Sequence, residues 1–380
     1  MSDFHHYRFL RYAPRDGTTM QMQPGRWTRM HIDPWLLGLL LLATTFGLIV
    51  LYSASGQDGD MVTRQAISFG VAYVVMFTLA QVPPKMYQAF SPWFFGIGLV
   101  LLVMVALFGQ VSLGARRWLG IAGVFRFQPS EFLKLAMPMM MAWYLSARVL
   151  PPSWKVVLSA LMLIAIPAGL IAKQPDLGTA LLVSASGLFV LFLSGLPWWM
   201  IGGFSVAVGA ALPVVWNFLL HDYQKQRVLT MLDPEADALG TGWNIIQSKT
   251  AIGSGGLMGK GYLHGTQSHL QFLPEGHTDF VIAAFSEEFG LIGVTLLLVL
   301  YSALVGRALF IAFETSNTYG RLLGGAIGMS FFVYVFVNVG MVSGILPVVG
   351  VPLPFISYGG TALITLMSGF GLLMSIRTHR

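Results

Sequence analysis

PWLLGLLLLATTFGLIVLYSASGQ, residues 34–57, contains no charged side chain. At ~1.5 Å per residue, a helix of this length crosses the ~30 Å hydrocarbon core of a bilayer. The run is too long for the apolar part of a cleavable leader and lacks a small-residue cleavage site, so it reads as a retained anchor. The pattern recurs along the chain. Apolar runs at roughly 35–53, 66–81, 92–109, 130–147, 154–172, 179–196, 198–220, 280–306, 321–345 and 357–376 predict about ten transmembrane helices. The expected fold is all-α, a polytopic integral membrane protein. One large loop, about 221–279, separates spans seven and eight.

Composition supports this. The 380 residues are 55% hydrophobic and 10% charged, against roughly 25% charged in soluble domains, which excludes an ordinary cytosolic enzyme. Cysteine is absent, which excludes disulfides, thiolate nucleophiles and Cys-ligated zinc. Residues 1–33 hold Arg8, Arg11, Arg15, Arg26 and Arg29. They read as a cytoplasmic N-terminal arm obeying the positive-inside rule, not as a nucleic-acid-binding arm. With the N-terminus inside, inner segments carry those five arginines plus Lys85, Arg148, Lys155, Arg307, Arg321, Arg377 and Arg380, twelve in all. Short outer loops carry Arg64, Arg116, Arg117, Arg126 and Lys173, five in all. The bias puts both termini in the cytoplasm and the 221–279 loop outside. Residues 34–380 then form a single transmembrane domain.

Charges in or beside the spans carry a solvation cost and are the main functional clues. Glu131 and Lys134, three apart in FQPSEFLKLAMP, share a helix face. They form either a brace between helices or the wall of a polar cavity. Pro129 and Ser130 fit a helix start, with Ser130 as its cap. Asp279 precedes an apolar span, as an N-cap or as a group facing a head group at the outer surface. Glu287 and Glu288 read as packing or pairing groups. Arg116, Arg117 and Arg126 beside Trp118, and Lys249 and Lys260 among glycines, suit phosphate oxygens, from lipid head groups or a bound pyrophosphate. No Walker pattern is present, so ATP binding is not expected. His264, His269 and His277 lack a metal-site spacing.

Longer motifs resemble one family. SGILPVVGVPLPFISYGGTAL (343–363), RFQPSEFLKLA (126–136), KQPDLGTALL (173–182) and AIGSGGLMGKGYLHGTQSHLQFLPEGHTDF (251–280) are similar to the SEDS family of RodA, FtsW and SpoVE. With HDYQKQRVLTMLDPEADALG (221–240), the long loop resembles the RodA, or elongation, branch. The resemblance covers the chain from about residue 30. It implies a peptidoglycan glycosyltransferase in the bacterial inner membrane that polymerises lipid II, an undecaprenyl-pyrophosphate-linked disaccharide peptide, on the outer face. It also implies a class B penicillin-binding protein, a transpeptidase, as partner in cell-shape maintenance. By motif match, the family's essential aspartate falls on Asp279, its Glu and Lys on Glu131 and Lys134, and its RRW arginine on Arg117. One carboxylate base plus cations on the leaving pyrophosphate suffices for the chemistry, the cations being Arg117, Lys249 or a divalent metal. A lipid II flippase and a non-catalytic scaffold for the transpeptidase are the other classes to test.

Overall fold

A computed structural model describes residues 30–112, 115–121, 125–220, 222–238, 240–266 and 276–379. Of the expected N-terminal arm, only residues 30–33 fall within these, and His269 lies outside them. The chain runs through α1 (Pro34–Ala54), α2 (Gly59–Gln81), α3 (Pro84–Phe108), α4 (Pro129–Ser146), α5 (Trp154–Lys173), α6 (Leu177–Leu193), α7 (Trp198–Val214), α8 (Asp222–Leu232), α9 (Thr241–Gly255), α10 (Val281–Glu314), α11 (Thr318–Val342) and α12 (Thr361–Thr378). Among the described residues eight helices, α7 with its π-helical continuation Val215–Leu219 included, are long and apolar enough to cross a membrane. α4, 18 residues but less apolar, and α6, apolar but only 17 residues, pack among them, which matches the expected ten spans. Polar residues set the helix starts. Asp33 accepts from Leu36 N at 2.8 Å ahead of Pro34, and Asp58 and Asn317 cap α2 and α11 the same way.

Burial follows position in the bundle. In α11 and α12, 61% of the spanning window is enclosed by protein, so these two form its centre. α7 buries none of its residues. Three short strands, β1 (Gln110–Ser112), β2 (Ala115–Ile121) and β3 (Phe125–Phe127), form an antiparallel meander between α3 and α4 where the sequence suggested a plain loop. The long 221–279 loop contains α8, a 3₁₀ turn at Pro234–Asp237 and α9. The last of these, α9, makes part of the loop helical.

Two irregular features shape the site. The first is the segment 343–360, read from sequence as a connection but packed inside the bundle. Val351, Leu353, Phe355 and Ile356 are buried, and the Phe355 ring lies 5.7 Å from Phe331 and 5.8 Å from Phe370. Non-helical backbone at membrane depth requires protein partners for its polar groups. Tyr301 Oη donates to Pro354 O at 2.6 Å, and Ser357 Oγ accepts from Leu353 N at 2.8 Å and donates to Thr278 O at 2.6 Å. α1 comes so close that a Cβ on Gly47 would sit 2.0 Å from Phe355 O, a contact only glycine allows.

The second is a break in α10 at Gly290, where φ is 63° and ψ −164°. The free backbone groups are met by the 256–261 segment. Lys260 N and Gly261 N donate to the carbonyls of Glu287 and Glu288 at 2.9 and 3.0 Å, and Leu291 N and Ile292 N donate to Gly256 O and Leu257 O at 2.9 and 3.2 Å.

At the end of the bundle that carries both described termini, Arg307 pairs with Asp33 at 2.5 Å and Arg377 pairs with Glu314. Beside them the His31 and His379 rings stack at 3.8 Å with planes 3° apart. Burial, then the neighbouring His379, holds the His31 pKa below its ordinary 6.5. The folded state therefore favours neutral His31. Its contribution is complete above pH 6.5 and is lost as pH falls below that value. Melting temperature is expected to fall between pH 7 and pH 5. The fall should be shallower in His379→Phe, which keeps a stacked ring and removes the imidazole that lowers the His31 pKa.

Candidate functional site

Asp279 stands two residues before α10. Phe280 occupies the cap position and no side chain caps the helix, so the capping role expected for Asp279 is not the one it plays. Its neighbourhood fixes its backbone instead. Asn338, fully buried on α11, donates through Nδ2 to Asp279 O at 2.9 Å and to Val351 O at 2.7 Å. Either side of Asp279, Ser357 Oγ donates to Thr278 O and Tyr358 N donates to His277 O at 2.9 Å. Gln65 on α2 contributes by accepting from Gly359 N at 3.3 Å. The side chain faces a glycine bend: a Cβ on Gly350, whose φ is 72°, would lie 3.4 Å from Asp279 Oδ2.

Sequence reading missed Asn338, because one amide in an apolar helix resembles an ordinary tolerated polar residue. Its amide orientation follows from its two carbonyl partners, since only the NH₂ group can donate to both. Asn338→Leu would remove the donor to the buried Val351 carbonyl and to the half-buried Asp279 carbonyl, at about 1–3 kcal/mol for the former and less for the latter. The expected result is a lower melting temperature and a fall in kcat larger than the change in KM. Asn338→Asp should be worse, since a carboxylate would face both carbonyls.

One turn along α11, Tyr334 faces the Glu131–Lys134 pair. Lys134 Nζ lies 2.5 Å from Glu131 Oε1 and 5.2 Å from the Tyr334 ring centroid. Pro129 opens α4 with Gln128 at the cap, so Ser130 lies inside the first turn and is not the cap expected of it. Proline's fixed φ suits the first helical position. Glu131 then falls where the positive end of the helix dipole favours an acid. Ser330, Tyr334 and Asn338 recur every four residues and share one face of α11. Among the described residues Glu131 Oε2, Ser330 Oγ and Asn338 Oδ1 are buried without hydrogen-bond partners. A cavity of about 30 Å³, room for about one water, is lined by Lys134, Ser330, Tyr334 and Thr365.

The other charges sort themselves. Glu287, fully buried, accepts from Lys260 Nζ at 2.6 Å, Thr266 N at 3.0 Å and Thr266 Oγ1 at 2.8 Å. It thus latches the 256–266 segment onto the break in α10, and Lys260 is spent on that latch. Glu288 accepts from Ser53 Oγ on α1. Lys249 is exposed and crosses Gly344, where a Cβ would lie 2.8 Å from its Nζ. Arg117, on β2, donates through Nε to Gln174 O at 3.4 Å and through Nη2 to Pro175 O. Counting spans from α1, the meander, the 221–279 loop and the 343–360 segment all connect at one end of the bundle, opposite the described termini. Asp279, Arg117, Lys249, Glu131 and Lys134 therefore lie toward the same end, with Asp279 joined to the Glu131–Lys134 pair through one face of α11.

A family model described as "Cell cycle protein", FTSW_RODA_SPOVE, matches residues 34–380. The peptidoglycan glycosyltransferase MrdB of Escherichia coli K12 is 55% identical over 354 residues, covering 93% of this chain and 95% of that one. A chain from a solved structure on structural coordination of polymerization and crosslinking by a peptidoglycan synthase complex superposes with a TM-score of 0.78 at 31% identity, covering 91% and 97% of the two chains. The rod shape determining protein RodA of Thermus thermophilus gives a TM-score of 0.67 at 28% identity over 91% and 96%.

Proposed function

The chain belongs to the FtsW, RodA and SpoVE family, and from that premise we propose that it is a peptidoglycan glycosyltransferase which polymerises lipid II and so sustains cell shape. The observation that carries this reading is the 55% identity to the E. coli glycosyltransferase across nearly the whole of both chains. The site geometry supports a mechanism.

The acceptor sugar's 4-hydroxyl is a weak nucleophile near pH 7, and a positioned carboxylate assists it. Asp279 takes the hydroxyl proton, the oxygen bonds to the anomeric carbon of the donor, and the bond from that carbon to the pyrophosphate oxygen breaks. Undecaprenyl pyrophosphate leaves as an anion and requires no protonation. Direct displacement turns an α-linked donor into a β linkage. Arg117 and Lys249 supply positive charge where phosphate charge develops. Lys134 and Glu131 form the wall that receives a polar part of the substrate. A divalent cation, the remaining proposal, would be held mainly by the substrate's own phosphates near Asp279 and would supply further positive charge to the leaving pyrophosphate. A lipid-linked donor also suits the apolar groove of about 370 Å³ between α6 and α11, lined by Gly178, Leu182, Phe336 and Val349 among others, beside the Gly350 bend.

The Lys and Arg bias favours both termini in the cytoplasm and Asp279 at the outer face of the inner membrane. The crosslinking partner would be a class B penicillin-binding protein. The direct test follows labelled lipid II with the purified chain and this partner. Polymer with β linkages and released undecaprenyl pyrophosphate is expected. An α-linked product would exclude single displacement.

A further inference from the structure

Asp33 and Glu314 are the acids among the described residues at the end of the bundle that carries both described termini, and Arg307 and Arg377 hold them. Lys85, Arg148, Lys155 and Arg321 stand at the same end, exposed, and among the described residues none of them has an ion-pair partner. Between Asp60 and Asp176 the sequence has one acid, Glu131, which sits at the other end of α4 and is paired with Lys134.

Three of these cations are brought together. Gln88, one turn after Lys85 in α3, donates through Nε2 to Ser146 Oγ at 3.5 Å, which sets the start of α3 beside the end of α4. Arg148 follows that end, its guanidinium carbon 3.5 Å from the Tyr144 ring centroid. Tyr144 Oη in turn shares a hydrogen bond with Ser159 Oγ, one turn after Lys155 in α5. Lys155 Nζ lies 5.7 Å from the Trp154 ring centroid. The rings steer both cations but cancel no charge. One N–H of Arg148 is spent on Tyr144 O, and the rest of its planar fork is open. Arg321 stands apart. Tyr319, two residues before it, hydrogen-bonds Ser91 on α3, so Arg321 leaves α11 on the far side.

The surface below this basic rim decides what fits it. Trp154, Leu158 and Met162 recur every four residues down α5, Phe90 and Trp93 follow one another down α3, and all five are exposed. Val149, next to Arg148, shows 88% of its surface. Cations above continuous apolar helix faces suit a ligand with an anionic head and hydrocarbon tails. A soluble acidic protein would match the charges and leave those faces bare.

We propose that Lys85, Arg148 and Lys155 form a binding site for an anionic diacyl phospholipid, its phosphate at Arg148 between the two lysines and its chains along the exposed faces of α3 and α5. On the Lys and Arg bias this end is cytoplasmic, so the site belongs to the inner leaflet, across the membrane from Asp279.

The test uses the full chain in nanodiscs of phosphatidylcholine with a minor share of phosphatidylglycerol, one of the two lipids carrying brominated chains that quench tryptophan on contact. The Trp154 signal is the difference between wild type and Trp154→Phe. Brominated phosphatidylglycerol is expected to quench it at a mole fraction about tenfold lower than brominated phosphatidylcholine, each basic residue near a membrane surface being worth about fivefold. Arg148→Gln with Lys155→Gln should erase this preference, and Arg321→Gln should keep it. Equal quenching by both lipids would leave the basic rim to an acidic protein partner and overturn the proposal, as would a preference that survives the double variant. A measurement on the unaltered protein decides even where a variant fails to fold. Phosphatidylglycerol should slow phenylglyoxal modification of Arg148 more than that of Arg321, relative to pure phosphatidylcholine. An equal change at both arginines, or none at Arg148, overturns the site.

Discussion

Replacing Asp279 with asparagine is expected to lower the rate of glycan polymerisation by about 10²–10⁴, the usual worth of a positioned general base, while the fold stays intact. The fold should survive because the surroundings hold Asp279 by its backbone. Asn338 donates to its carbonyl, and the flanking residues are tied to Ser357 and Tyr358. Asparagine has the same shape and loses only the basic oxygen. The loss should fall on kcat with KM nearly unchanged, read as initial rates on labelled lipid II at matched melting temperature and matched partner binding. An asparagine variant polymerising at the wild-type rate would place the base elsewhere.

The second large effect is on stability. Lys134→Met leaves Glu131, 6% exposed, without the cation 2.5 Å away. Removing one member of a buried pair costs about 3–5 kcal/mol, whereas replacing both by neutral groups of similar volume is often neutral. Lys134→Met is therefore expected to unfold at a clearly lower temperature, and Glu131→Gln with Lys134→Met to recover most of the loss. Activity then separates brace from cavity wall. A recovered double variant with polymerisation down at least about tenfold would be the signature of a wall contacting substrate. A recovered and fully active double variant would reduce the pair to a brace.

The spans were legible in the sequence because lipid leaves no choice: every backbone polar group must be satisfied within the helix, so uncharged runs of fixed length stand out. Asp279, Glu131 and Lys134 were legible because a charge beside such a run is rare. Features that depend on distant contacts were not. The depth of the 343–360 segment is set by Tyr301 and Gln65, from helices distant in sequence, and by Asn338 reaching back from the helix before it. Hydropathy alone made VPLPFIS the lead-in to a span. The meander carrying Arg117 pairs through strands too short for a period-two pattern to show. Arg227, in a polar helix on a polar loop, carried no sequence signal; its side chain donates to Val348 O at 3.0 Å. Lys260 gave the opposite result: the glycines around it suggested an anion-binding loop, but they are there to let the chain thread the break at Gly290 and reach Glu287.

On the reading proposed above, this chain itself joins the sugars. The most direct measurement incubates labelled lipid II with the purified chain and its crosslinking partner in vesicles. The partner's own active site is blocked by a β-lactam, and polymer and lipid movement across the bilayer are scored together. Uncrosslinked glycan polymer is expected from the wild-type chain and none when Asp279→Ala replaces it. Lipid movement without polymer, or equal polymer from both proteins, would contradict it.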